Sequence, residues 1–519
     1  MLSGILVKVI GACFSIPLAN LYGADGNDIF ISAYYVYTAM YVISSAGLPV
    51  AVSKMVAESR ALGRGAEIRR IARVSMTAFV LLGAALSLGM MLSVDTLCRF
   101  VGGSCRYAIL TVAPTIFFTC IVSAVRGYYQ GLSNMVPTAV SQIIEAMGKL
   151  LFGLGLARYL MARGCSLDIV VAGAIGGVTL GTVLSAAYVV FYRLRDRKTR
   201  KDLPAGGTCR GDGEILRTLV RLAVPITIGA SVFSVSTLID TFMVKLRLQE
   251  GCRMTDAAAG FTYGAYGYAV KLFNLPLTLV VAIGVSIIPA ISGALALRDR
   301  EKTLRLTESA FRLTGLLAFP CAVGLAAIPG PILEVLFWGQ EEACALAAPL
   351  LRLLAPSVFF AAMVSVSNPV LQAMGRVQRP VVSMALGALV KAGCNYALVG
   401  IPEVGIHGAP IATGLCYGVI LLLNLLSIRR LGVRFSLRRS FLRPLLSAGV
   451  MGLVVWAGYA PIRGLFGAGR LMSLCALLAV IALAAGLYLA MLVWTRALPR
   501  EDILMLLKGE KIVKWLKIQ

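Results

Sequence analysis

Long apolar runs, cut by short polar or Gly/Pro-bearing segments, set the pattern of this chain. A membrane-crossing helix needs about 20 apolar residues, and runs of that length lie near residues 2–22, 29–53, 74–94, 107–125, 136–157 and 168–192. A charged stretch follows, RLRDRKTRKDLPAGGTCRGDGE from Arg193 to Glu214, too polar to enter lipid and built like a linker. Six more runs lie near 218–244, 262–293, 310–337, 345–374, 380–400 and 406–428, with a last pair near 444–460 and 471–495. The pattern predicts an all-α integral membrane protein of about 14 transmembrane helices. Two six-helix lobes, 1–192 and 217–428, flank a basic cytoplasmic linker at 193–216. The final helix pair occupies 429–495, and residues 496–519 form a basic amphipathic tail resting on the inner leaflet.

Composition supports the membrane assignment. Of 519 residues, 59% are hydrophobic and 14% charged, which argues against a soluble enzyme. A net charge of +25 would suggest nucleic acid in a soluble protein, but here the cations sit between apolar runs, as loop charge facing anionic lipid. With the N-terminus placed inside, 33 of the 49 Lys and Arg fall in cytoplasmic loops and the tail, against 9 in the opposite loops. Both termini are therefore expected in the cytoplasm of a bacterial cell, with the chain in the cytoplasmic membrane and no nucleic acid partner. The first apolar stretch, Leu2 to Leu21, contains Lys8 and no small-residue cleavage pattern, so it is expected to be the first span rather than a signal peptide. A single histidine, His407, leaves no His-based metal site and no Ser-His-Asp triad, and neither enzyme activity nor a cofactor is expected. The 12 cysteines are scattered without a CxxC and are read as small reduced hydrophobes, Cys98 and Cys105 being a pair that an outer loop could join.

The two halves look like copies. Gln130, Pro137 and Lys149 of the fifth span recur as Gln372, Pro380 and Lys391 of the eleventh, with 19 residues from Gln to Lys in each case. GLPVAVS around Pro49 aligns with VSIIPAIS around Pro289, and AGAIGG from Ala172 with HGAPIA from His407. A duplicated unit with an even number of spans keeps its orientation, so the copies are related by an axis along the membrane normal, with the site of a transporter expected between them.

Charged groups inside spans carry the functional expectation, since each costs roughly 2.5–3.5 kcal/mol at mid-bilayer on the lenient insertion scale. Pro137, Ser141, Glu145 and Lys149 recur every four residues and form one helix face. Ser383, Gly387, Lys391 and Asn395 repeat the device, Lys271, Asn274 and Thr278 form a shorter stripe, and Lys8 lies on one side of the first span with Ser15. Taken singly, each lysine can snorkel or close a structural ion pair, and Glu145 is expected to temper Lys149 at the i, i+4 spacing. Together, Lys8, Lys149, Lys271 and Lys391 point to a wet, positively charged cavity selecting an anionic cargo, with Ser141, Glu145, Asn274 and Asn395 beside them. Lysine suits a pyrophosphate as a movable point charge. Asp240, in STLIDTFMV, is either a helix-end residue or part of a coupling-ion site.

SSAGLPVAVSKMVAE from Ser44, RGYYQGLSNMVPTAVSQIIE from Arg126 and REDILMLLKGEKI from Arg500 resemble the SpoVB/YtgP branch of the multidrug/oligosaccharidyl-lipid/polysaccharide exporter superfamily. With Lys8-Val-Ile-Gly and Ile16-Pro17-Leu18, the resemblance spans essentially the whole chain. It implies fourteen helices in two pseudo-symmetric lobes with a final pair. It also implies export of undecaprenyl-pyrophosphate-linked saccharides, as in the related MurJ flippases for the peptidoglycan precursor lipid II, whether in vegetative growth or sporulation. Ser15 departs from the arginine often found there in related sequences. The expected function is a flippase working as a monomer on a lipid-linked saccharide among membrane lipids, with Na⁺ or H⁺ coupling left open. Its rivals are a cation-coupled multidrug antiporter of the same superfamily and a non-transporting envelope or spore assembly scaffold.

Overall fold

The computed structural model describes residues 2–101, 105–196, 210–296, 299–376, 378–431, 437–466 and 469–495. The expected amphipathic tail at 496–519 and most of the 193–216 linker lie outside the described residues. Among the described residues there are sixteen α-helices and no strand, the outcome expected of apolar runs whose backbone polar groups must be satisfied within each segment.

The chain divides into two compact units, Met1–Gly264 and Ala265–Gln519. The first contains α1 (Leu2–Ser45), α2 (Gly47–Ala61), α3 (Gly65–Leu92), α4 (Val94–Val101), α5 (Arg106–Gly131), α6 (Val136–Ala162), α7 (Leu167–Arg195), α8 (Asp212–Glu250) and the start of α9 (Asp256–Ala296). The second holds the rest of α9, then α10 (Arg300–Ala327), α11 (Pro329–Leu336), α12 (Glu341–Ala373) and α13 (Gln378–Val399). A 3-10 turn at Gly405–His407 leads to α14 (Gly408–Arg430), α15 (Leu437–Phe466) and α16 (Arg470–Trp494). The boundary falls inside α9 rather than in the charged linker, because α8 packs against α1, α2 and α3 of the first unit.

The punctuation YGADGND predicts a loop between the first two spans, and the structure corrects this. Within α1 two helices meet at a kink at Gly23, whose φ of 69° and ψ of −167° are open to glycine and costly for other residues, so the break between the first two spans is a single residue and not a loop. The chain changes direction at that one residue and resumes its helix. Asn27 and Asp28, which a loop would expose, are instead 0% and 5% exposed. Eleven described segments are long and apolar enough to cross a membrane, Cys13–Ala61 counting as one. The expected runs 218–244 and 262–293 lie inside α8 and α9, helices of 39 and 41 residues.

Helix association in lipid lacks the usual hydrophobic drive and favours small residues that let backbones approach. α6 and α7 meet this way: a Cβ added at Gly177 would lie 2.1 Å from the Gly153 nitrogen, and one at Gly148 would lie 2.5 Å from the Gly181 Cα. Gly177→Leu is expected to force the two helices apart at an overpacking cost of about 1–3 kcal/mol, read as a lowered thermal midpoint in detergent. Gly155→Leu, on the same helix as Gly153 but facing open space, leaves the midpoint unchanged. In the second unit the final helix pair packs on α10, where Met451, Val455, Val480 and Leu492 join Leu316 and Phe319 in one buried cluster. The Tyr488 hydroxyl donates to the Leu316 carbonyl at 2.9 Å and fixes that docking.

Candidate functional site

In the first unit, α1 carries aromatic residues at helical spacing, so successive rings meet. Phe30 stacks on Tyr34 at 5.5 Å between centroids, Tyr37 meets both Tyr34 and Tyr41 at 5.6 Å, and Phe14 approaches Phe30 at 6.1 Å. Lys149 of α6 enters this column. Its Nζ lies 4.7 Å from the ring centroids of both Phe14 and Tyr34 and donates to the Tyr34 hydroxyl at 3.2 Å. Gly153, one turn further along α6, gives the Phe14 ring its room, since a Cβ there would come within 2.6 Å of it. A cation over two ring faces is held by their quadrupoles, worth about 2 kcal/mol or more when desolvated.

The expected Glu145–Lys149 pair is not formed. Glu145 accepts from Arg126 of α5 at 3.0 Å, and the same guanidinium donates to Ser141 at 2.8 Å and Ser185 at 3.3 Å. An i, i+4 ion pair is worth only about 0.2–0.5 kcal/mol. A planar fork with three acceptors on two helices outcompetes it. Ser141 is fully buried and Glu145 half-buried, so the polar stripe does face the interior of its unit.

A second buried ion pair was not expected from the sequence. Lys245, near the end of α8, meets Asp28 of α1 at 2.5 Å, with side chains 5% and 7% exposed, and donates to Ser32 at 2.9 Å. Tyr263 lies beneath it, its ring centroid 5.5 Å from the ammonium and its hydroxyl 2.9 Å from Thr241. The Asn27 amide donates to the Gly264 carbonyl at 2.6 Å. Gly264 makes this approach possible: a Cβ there would sit 2.0 Å from the Ala24 carbonyl oxygen. The available signal was that Asp28 and Lys245 are opposite charges at the same expected membrane side, each at the edge of an apolar run. Asp240, five residues before Lys245 on α8, is 8% exposed.

In the second unit, Lys271 of α9 lies half-buried, 5.7 Å from the Tyr268 centroid and 6.0 Å from that of Phe337, two rings stacked at 4.2 Å. Asn274 is exposed and its amide donates to the Val270 carbonyl of its own helix at 2.9 Å. On α13, Ser383, Gly387 and Asn395 are buried and Lys391 is half-buried, so the stripe that repeats α6 also turns inward. Lys8 lies in α1, and its side chain is outside the described residues.

Three of the first unit's described cations, Lys149, Arg126 and Lys245, thus have different commitments. Lys245 and Arg126 are each held by a carboxylate, whereas Lys149 is held by two rings and a phenol. A neutral aromatic cradle keeps an ammonium in place without cancelling its charge, which suits the capture of an anion.

The family described as lipid II flippase MurJ matches residues 71–476. The protein named lipid II flippase MurJ in Bacillus subtilis (strain 168) is 24% identical over 471 residues, covering 86% of this chain and 85% of that protein. Stage V sporulation protein B of the same organism is 23% identical over 414 residues, covering 79% of this chain and 78% of its own length. Among solved structures, a lipid II flippase MurJ in an inward closed conformation superposes with a TM-score of 0.72 at 15% identity, covering 95% of this chain and 98% of that one. These matches bear out the resemblance carried by the strings from Ser44, Arg126 and Arg500.

Proposed function

This chain belongs to the lipid II flippase MurJ family, and on that premise we propose that it moves a polyprenyl-pyrophosphate-linked saccharide, a precursor of peptidoglycan or a related polysaccharide, across the cytoplasmic membrane. It is a multi-pass membrane transporter and not an enzyme. The observation that carries the substrate class is the Lys149 ammonium seated on Phe14 and Tyr34 while Glu145 is engaged elsewhere. Two opposite unit charges 4 Å apart attract by about 4 kcal/mol at an effective dielectric of 20, so a diphosphate displaces the phenol as the ammonium's partner. Lys8, in the same unit, adds positive potential for this headgroup; in the second unit, Lys391, at the repeat-related place, and Lys271 on its stacked rings are proposed as further substrate-binding residues. Ser141, Asn274 and Asn395 supply neutral polar contacts, and Glu145 acts through Arg126. Asp240 is the proposed acid of a coupling-ion site taking Na⁺ or H⁺.

Both termini are placed in the cytoplasm, and the protein acts as a monomer by alternating access. An inside-negative potential then favours expulsion of the anionic head, at about 2.3 kcal/mol per charge per 100 mV. The test uses a bacterium depleted of its own lipid II flippase and supplied with this chain. Labelling of the lipid-linked precursor at the outer leaflet by a membrane-impermeant reagent is expected to return. Labelling that stays at the depleted level, with the chain inserted in the membrane, would contradict a lipid II-like cargo.

A further inference from the structure

We propose that Cys98 and Cys105 are a redox-active pair that forms a disulfide on the outer side of the membrane and clamps α4 to the start of α5. The two sulfurs lie 3.4 Å apart, at the contact distance of two thiols, so bond formation needs an approach of about 1.4 Å to the covalent length. Cys98 is half-buried on α4 and Cys105 is fully buried at the residue preceding α5. Asp95, one turn before Cys98, and Arg106, next to Cys105, join the same two elements by an exposed ion pair at 3.1 Å. From the other side of α4, Phe100 stacks on Phe242 of α8 at 4.3 Å with 9° between planes. A covalent clamp at Cys98–Cys105 therefore also fixes the α4–α8 contact within the first unit.

The chemistry is thiol–disulfide exchange with a disulfide-bearing oxidant of the outer compartment. The Cys98 thiol gives up its proton and its sulfur attacks one sulfur of the oxidant, forming a mixed disulfide and releasing a thiol. The Cys105 thiol gives up its proton and attacks the Cys98 sulfur, forming the intramolecular bond and expelling the second thiol. Two electrons pass to the oxidant's disulfide, and both protons end on its sulfurs. Burial, with the Asp95 charge nearby, pushes the Cys98 thiol above its ordinary range. The thiolate fraction of Cys98 is correspondingly small, which slows its attack on the oxidant's disulfide.

The outer placement rests on the topology proposed above, and the experiment separates the two. Cells expressing the full chain are quenched in acid, free thiols are blocked with iodoacetamide, and the protein is digested with trypsin without reduction. Cleavage at Arg73, Arg99 and Arg106 puts the two cysteines on different peptides, 74–99 and 100–106. Most of the 100–106 peptide is expected to appear linked to 74–99 and to be released by reductant. Recovery of both peptides only in singly alkylated form would overturn the disulfide. In parallel, Cys98 of Cys105→Ser is expected to react in intact cells with a membrane-impermeant maleimide. Reaction only after lysis would overturn the outer placement, and with it the proposed oxidant.

Discussion

Lys149→Gln is expected to lower transport by about tenfold or more, equivalent to at least about 1.4 kcal/mol of lost interaction with the cargo. Glutamine keeps much of the length and a hydrogen-bond donor for Tyr34 but removes the charge that the Phe14 and Tyr34 rings support. Because Glu145 is held by Arg126, no buried carboxylate is orphaned by the change, and membrane accumulation and thermal midpoint should stay near wild type. Lys149→Arg keeps the charge and is expected to retain part of the activity, since a planar guanidinium stacks on aromatic faces but presents a rigid fork in place of a point charge. Transport is read as outer-leaflet labelling of the lipid-linked precursor in flippase-depleted cells. Wild-type labelling with Lys149→Gln would remove the ammonium from the mechanism.

Asp28→Asn is expected to be the most destabilising single charge change in the first unit. It leaves the Lys245 ammonium, 5% exposed, facing a neutral amide and Ser32. Breaking one partner of a buried ion pair costs about 3–5 kcal/mol, because the remaining charge stays desolvated. Replacing both partners by groups of similar shape is often close to neutral, so Asp28→Asn with Lys245→Met should recover most of the loss. Thermal unfolding of the four proteins in detergent closes the double-mutant cycle. Single variants that unfold at the wild-type temperature would mean that water reaches the pair.

The α6 stripe was legible because helical periodicity fixes which residues share a face: Pro137 and Ser141 are buried and Glu145 and Lys149 half-buried, as their four-residue spacing requires. Periodicity does not choose partners, and Arg126, placed by the sequence just past a span at residue 125, instead lies well inside α5 and claims Glu145. YGADGND was illegible for a different reason. Its Gly, Asp and Asn residues carry the local signature of a loop, and only the close approach of Gly264 to Ala24, with Lys245 opposite Asp28, makes the segment an interior helix. Phe14 and Tyr34 look like ordinary apolar-helix residues in the sequence; the ammonium between them gives them a role.

The Lys149 ammonium on its aromatic cradle is the proposed binding group for a diphosphate headgroup. The most direct test of this role is the affinity of the purified full chain, in lipid nanodiscs, for a polyprenyl diphosphate, set beside the same measurement on Lys149→Gln. Binding is expected to weaken by about tenfold or more in the variant and to be weaker for a neutral polyprenol in both proteins. Equal affinity of the two proteins for the diphosphate would contradict it.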